Sequence, residues 1–265
     1  MPDPNHYPYP ILEFDDTRPA IIEPTNLIKP LPALPERCVL CFFREVIEKV
    51  CGDGKGKIVT YLGSELGKFP VYRLEVIAPD TRESQPIAVA HPGVGAPFSG
   101  AVLEELIAYG CKIFVACGGA GVLNRGITVG HVVVPEQAVR DEGTSYHYLP
   151  PAREVSASPT AIIAIKATLE AHNVPYIVGK TWTTDGFYRE TPAKIARRKA
   201  EGCLTVEMEA AAFFAVAQFR GVPFGQILYG GDDVSGAAWD PRAWDKRTST
   251  REKLFWLAAE AVLRV

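Results

Sequence analysis

Several things are scarce in this chain of 265 residues. No apolar run approaches the ~20 residues that a bilayer-spanning helix needs, so no membrane partner is expected. The opening stretch MPDPNHYPYP has neither the basic segment nor the apolar segment of a secretory signal, which makes the cytoplasm the expected compartment. Neither sign of charge dominates. A net charge of −3 provides no electrostatic footprint for nucleic acid or an anionic surface. Metal-ligand spacing is missing too: Cys38 and Cys41 form a C-x-x-C, but no second pair or histidine follows at zinc spacing. Cys38, Cys41, Cys51, Cys111, Cys117 and Cys203 mostly lie in apolar runs, where a reduced cysteine behaves as a small hydrophobe. Two glycine-rich stretches stop short of a dinucleotide fingerprint. Gly119-Ala-Gly121 meets Asn124, and Gly93-Val-Gly95 meets Phe98, where the third glycine would stand. No metal and no cofactor are expected.

What is present is an alternation of short apolar runs with helical ones. Residues 1–36 are rich in proline and carry almost no periodic pattern, which reads as an irregular arm lying on the body or on a neighbouring subunit, with His6, Tyr7 and Tyr9 as its reaching residues. No break in composition divides residues 37–265, so one domain is expected there. CVLCFF, KIVTYL, PVYRLEVI, PIAVAH, KIFVA, HVVVP, PYIVGK and FGQILYG read as strands. REVIEKV, Ser99 to Tyr109, Pro159 to Ala171, Ala193 to Ala200 with a solvated basic face, and Thr248 to Leu263 read as helices. This order predicts an α/β fold, a three-layer α/β/α arrangement with a largely parallel, mixed central sheet. Ligands in such sheets gather beyond the carboxyl ends of the strands. That rule selects the stretches HPGVGAPFSG, CGGAGVLNRG, TWTTDGFYRE and GDDVSG as loops, whose glycines suit either close approach to a ligand or plain tight turns.

The segment TVEMEAAA, Thr205 to Ala212, sets Glu207 and Glu209 at the start of a helix that is apolar on nearly every face. A buried helix seldom carries two glutamates in its first turn. Two readings fit. The acids offset the helix macrodipole, or one of them grips a vicinal diol such as the 2′ and 3′ hydroxyls of a ribose, a task suited to an acceptor-only group with two oxygens.

VEMEAAA, the preceding TTDGFY, GGAGVL and GVGAPFSGAVLEEL together resemble the nucleoside phosphorylase family, which groups hexameric purine nucleoside phosphorylases, uridine phosphorylases and methylthioadenosine nucleosidases. The likeness runs from about Cys38 to the C-terminus. It implies that Glu209 holds the ribose hydroxyls, that Met208 packs beneath the sugar with Glu207 close by, and that Phe187 stacks on the base. It also implies that Asp232 protonates a purine base, with the adjacent Asp233 raising its proton affinity through like-charge repulsion. The backbone at Gly95, Gly118 and Gly119 would approach the ligand. Such residues serve N-glycosidic cleavage through a cationic sugar, which negative charge near the ring and a proton for the leaving base both favour. The pattern also departs from the family. Where phosphorolytic members carry an arginine and a hydroxyl residue for phosphate, this chain has Ala116 and Gly119, and Phe42-Phe43-Arg44 replaces the Gly-Asp-Pro loop. Arg44 in cis, and Lys68 lent by a neighbouring subunit, are then the cations left for phosphate. The resemblance implies a nucleoside phosphorylase, with a hydrolase or a non-catalytic nucleoside-binding protein as alternatives. It also implies a homo-oligomer, a dimer or a trimer of dimers.

Overall fold

The computed structural model describes residues 7–265; His6 lies outside them. Two short helices, a 3-10 turn at Pro10–Leu12 and α1 (Pro24–Leu27), interrupt the arm. The arm is fastened, not loose: Arg220 pairs with Glu23 at 3.1 Å and with Glu104 at 2.7 Å, and Arg18 lies 3.8 Å from the centre of the Phe219 ring. The strands are β1 (Arg37–Cys41), β2 (Gly56–Ser64), β3 (Gly67–Ile77), β4 (Ser84–Ala90), β5 (Ile113–Val122), β6 (Val132–Asp141), β7 (Glu154–Ser156), β8 (Tyr176–Thr184), β9 (Cys203–Glu207) and β10 (Phe224–Asp233). The longer helices are α2 (Arg44–Cys51), α3 (Ala96–Tyr109), α4 (Pro159–Ala171), α5 (Pro192–Ala200), α6 (Ala210–Arg220) and α7 (Thr248–Arg264).

All these strands join one mixed sheet in the order β10-β6-β8-β9-β5-β1-β4-β3-β2, with β7 beside β6. β1 runs parallel to β4 and β5, β10 parallel to β5, and β8 parallel to β6 and β9, while the β2-β3-β4 wing is antiparallel. Because β10 pairs with both β6 and β5, the strands β5, β10, β6, β8 and β9 close on themselves. Helices cover both faces. One apolar layer gathers Val46 and Ile47 of α2, Ile165 of α4 and Phe255 of α7; the other gathers Leu103 of α3 with Phe213 and Phe214 of α6. Cys38 and Cys41 belong to different layers, as three-residue spacing along a strand requires, so they cannot close on one ion.

Three stretches expected as loops are strand. GGAGV completes β5, TWTT completes β8 and GGDD completes β10, because pairing partners continue beyond the apolar runs that mark the strand centres. β9, hidden inside the Glu207 segment, ends where a helix start was expected. The basic side of α5 is not wholly solvated: Arg198 is buried, paired with Asp141 at 3.1 Å and Glu201 at 2.9 Å, with Trp182 beneath it.

Candidate active site

A gap in the sheet defines the site. β10 accompanies one edge of β5 from Phe114 to Val122. On the other edge β1 ends opposite Cys117, and pairing with β9 starts only at Gly121, opposite Val206. Between them, Gly118 to Ala120 face an opening where β1 and β9 part. This is the kind of place where open α/β sheets hold ligands.

Glu209 bridges that opening. It occupies the position just before the first turn of α6, and its Oε1 accepts the Gly95 N–H at 2.6 Å from the far side. Gly95 has φ 88°, open to glycine at no steric cost, and nothing stands within 4 Å of where a Cβ would project. Glu207 ends β9 and turns the other way. Its carboxylate accepts the Thr183 hydroxyl at 2.6 Å and the N–H groups of Glu209 at 2.7 Å and Ala210 at 2.6 Å, while Thr183 in turn accepts the Ala211 N–H at 2.9 Å. The two acids therefore divide the two readings between them. Glu207 satisfies the helix start, and Glu209 is left beside the gap with Met208 half-buried next to it. Burial, then the nearby Glu207 charge, push the Glu209 carboxyl up to about 8. Burial also pushes Glu207 up to about 7, against the hydrogen bonds that favour its charged form.

Asp232 lies at the other end of the opening. A Cβ on Gly121 would sit 3.0 Å from Val206 and 3.5 Å from Asp232 Oδ1, so the missing side chain keeps space beside that carboxylate. Asp232 Oδ2 accepts the Trp239 indole N–H at 2.6 Å. Asp233 is not the neighbour that loads Asp232 with charge. Strand alternation turns it away, its carboxylate meets Arg242 at 2.6 Å and the Ser235 N–H at 2.8 Å, and hydrogen bonds and that guanidinium hold its carboxyl low. Burial, and then the charge of Asp232, push the Glu190 carboxyl up to about 7. Phe187, on the 3-10 turn Phe187–Arg189, is half-exposed with its ring centre 4.0 Å from that of Tyr188.

Arg44 and Lys68 line one cavity of about 530 Å³ with His91 and Tyr72. Lys68 reaches it within its own chain, because the β2–β3 hairpin folds back toward the start of α2. Arg44 pairs with Glu48 at 2.8 Å and is mostly exposed. Burial holds the His91 imidazole below its usual range, and its Nδ1 accepts the Gly93 N–H at 3.0 Å. Its ring stands edge-on to Phe42, which covers Gly118. Gly118 and Gly119, expected to approach the ligand from loops, lie in extended strand, in register with Leu228 and Tyr229. Close packing explains these glycines, since a Cβ would come within 2.9 Å of Phe42 at the first and 3.1 Å of Tyr229 at the second.

Glu190, Trp239, Thr183 and His91 were not singled out from the sequence. Each lies beside a motif but acquires its place only through chain segments distant in sequence. The assembled groups place two carboxyl groups of raised proton affinity at the Glu209 end, the carboxylate of Asp232 at the other, and cations beyond Phe42.

The sequence pattern of the phosphorylase superfamily matches residues 37–259. The chain is 32% identical to the guanosine phosphorylase of Halorubrum lacusprofundi over 143 residues, 53% of this chain and 58% of that protein. It is 35% identical to the uridine phosphorylase of Thermococcus kodakarensis over 103 residues, 39% of this chain and 37% of that one. The matches thus span about a third to three-fifths of these relatives. In fold it is similar to the AMP nucleosidase of Bacteroides thetaiotaomicron, with a TM-score of 0.69 and 20% identity over 88% of this chain and 89% of that structure. With the family pattern running from β1 into α7 around this opening, the chain belongs to the phosphorylase superfamily.

Proposed function

We propose that the protein cleaves the N-glycosidic bond of a purine ribonucleoside with phosphate, giving the free base and ribose 1-phosphate. The observation that carries this reading is Glu209, a buried carboxyl group held across the sheet gap by the N–H of Gly95 and placed to take a ribose hydroxyl. Its charge favours a sugar that becomes cationic as the bond breaks. Met208 packs under the ring, Phe187 stacks on the base, and Asp232 supplies the leaving base with a proton. Glu207 acts indirectly by fixing the backbone that carries Glu209. Phosphate enters from the cavity of Arg44, Lys68 and His91, where the two cations supply the charge that Ala116 and Gly119 do not. Two relatives named as phosphorylases support phosphate as acceptor.

Hydrolysis is the second reading. The exposed ion pair of Arg44 with Glu48 favours it, since a guanidinium engaged by a carboxylate is a weaker phosphate ligand. Inosine incubated with and without phosphate separates the readings. Ribose 1-phosphate formed only with phosphate supports the first, free ribose at a phosphate-independent rate supports the second, and no cleavage leaves a nucleoside-binding protein. We further propose a homo-oligomer, a dimer or a trimer of dimers, joined through the exposed side of β2.

A further inference from the structure

Trp239 is a large apolar residue that the fold leaves 62% exposed, so most of its apolar area gains nothing from folding. The backbone that carries it is nevertheless fixed. Asp233 and Asp240 exchange N–H···O bonds at 2.8 Å and 3.0 Å, which ties off residues 234–239 as a closed loop. Beyond the tie, Arg242 donates to Asp233 at 2.6 Å and to the Ile127 carbonyl at 2.8 Å, and the Tyr229 hydroxyl donates to the Trp244 carbonyl at 2.9 Å. Trp239 stands next to the tie, and its N–H reaches Asp232 Oδ2 at 2.6 Å. The two oxygens of that half-buried carboxylate therefore differ. Oδ1 lies 3.5 Å and Oδ2 3.7 Å from where a Cβ on Gly121 would stand, so both border the space that this glycine leaves. Oδ2 alone has a hydrogen-bond partner among the described residues.

We propose that Trp239 is a positioning residue for Asp232: by engaging Oδ2 it assigns the acid proton to Oδ1, the oxygen left for the departing base. The proposal deepens the function above and rests on its placing of the base beside Asp232. An indole N–H only donates, and in a carboxylic acid the carbonyl oxygen accepts better than the hydroxyl oxygen. Trp239 therefore favours the form with Oδ2 as carbonyl and the proton on Oδ1. As the N-glycosidic bond breaks, its electron pair goes to the base, the Oδ1 proton moves to a ring nitrogen of that base, and the negative charge left on the carboxylate spreads to Oδ2. There the bond from Trp239 becomes charge-assisted and strengthens, a gain made only as the proton leaves. The same contact holds the carboxylate against rotation, so Oδ1 keeps its direction.

Inosine and 7-methylinosine separate this role from a structural one. The base of inosine needs a proton to leave, whereas the N7-methylated base already carries positive charge and leaves without one. kcat/KM is measured for both nucleosides on the full chain, on W239F and on D232N, with and without phosphate. W239F keeps an aromatic ring on an exposed position and loses the donor. It is expected to lose about tenfold more on inosine than on 7-methylinosine, the scale of one hydrogen bond to a charged group. D232N, which has no acid proton to place, should show the same selectivity to a greater degree. Equal losses of W239F on both nucleosides, or no loss on inosine, overturns the proposal and leaves the function standing. Equal losses of D232N on both remove Asp232 as the proton donor, and the role of Trp239 with it. Free ribose at a phosphate-independent rate, with the selective loss of W239F intact, removes phosphate as the acceptor and leaves Trp239 its role. A wild-type chain that cleaves neither nucleoside overturns both.

Discussion

Glu209 carries the sharpest consequences at the scale of single residues. In E209Q the amide oxygen still accepts the Gly95 N–H, so the fold persists, but the charge facing the sugar is gone. A drop of about 10²–10³-fold in kcat/KM is expected, the scale of one lost electrostatic contact to a transition state. Near-wild-type turnover by E209Q would remove Glu209 from the chemistry. The same residue sets a pH dependence. Its ionised form is the useful one, so kcat/KM of the wild type should climb as pH rises through about 8, and that limb should vanish in E209Q. Stability runs the other way. The folded protein holds this proton up to about 8, whereas the unfolded chain releases it near 4.5, the ordinary value of a glutamate, so the associated stability is complete below about 4.5 and is lost as pH rises through about 8. Melting temperature measured from pH 5 to pH 9 should therefore fall less steeply in E209Q than in the wild type.

Among the elements, the junction between β9 and α6 joins the sheet to the site. An apolar helix buried at its start needs acceptors for its first N–H groups, and Glu207 and Thr183 provide them. Replacing Thr183 with Val keeps the shape but leaves the Ala211 N–H and one Glu207 oxygen unsatisfied. A loss of about 1–3 kcal/mol in denaturant unfolding is expected, the cost of a stranded buried polar group. The activity defect of T183V should follow from a displaced Glu209, appearing as a weaker grip on ribose with the pH limb retained. An unchanged unfolding midpoint would show that water replaces the hydroxyl and that this junction is less demanding than its hydrogen bonds indicate.

For the whole molecule, two features lie outside the closed part of the sheet. The arm is clamped by Arg220 between Glu23 and Glu104, both carboxylates being mostly buried. Arg220→Ala strands them together, for a loss of roughly 3 kcal/mol, the lower end for a broken buried pair because Arg220 is partly exposed. Limited proteolysis should then cut the arm before the body, and simultaneous cleavage of both would contradict a separable arm. β2 is the other feature, a terminal strand whose far edge has no strand partner among the described residues, with Ile58 and Tyr61 exposed on it and Leu66 exposed in the turn that follows. Such an edge invites pairing or packing with a second copy. Sedimentation at micromolar concentration should show at least a dimer, and Leu66→Lys should shift it toward the monomer. A wild-type monomer that still turns over nucleoside would remove the oligomer.

By itself the sequence determined the class of fold and marked Glu207 and Glu209 as candidates, because apolar periodicity and the VEMEAAA pattern are local properties. The chain must bury CVLCFF, KIFVA and FGQILYG whatever their neighbours, and so the alternation of strand and helix is legible. Strand ends were not legible, since GGAGV and TWTT become strand only because β10 and β6 run beside them. Tertiary structure alone decided that Glu207 serves the helix and Glu209 the gap, for the two acids are alike until Thr183 and Gly95 arrive from distant segments. It likewise decided that Asp233 is spent on Arg242 while the charge of Asp232 bears on Glu190. Charge coupling depends on distance in space, and a strand turns adjacent side chains to opposite faces however close they stand in sequence.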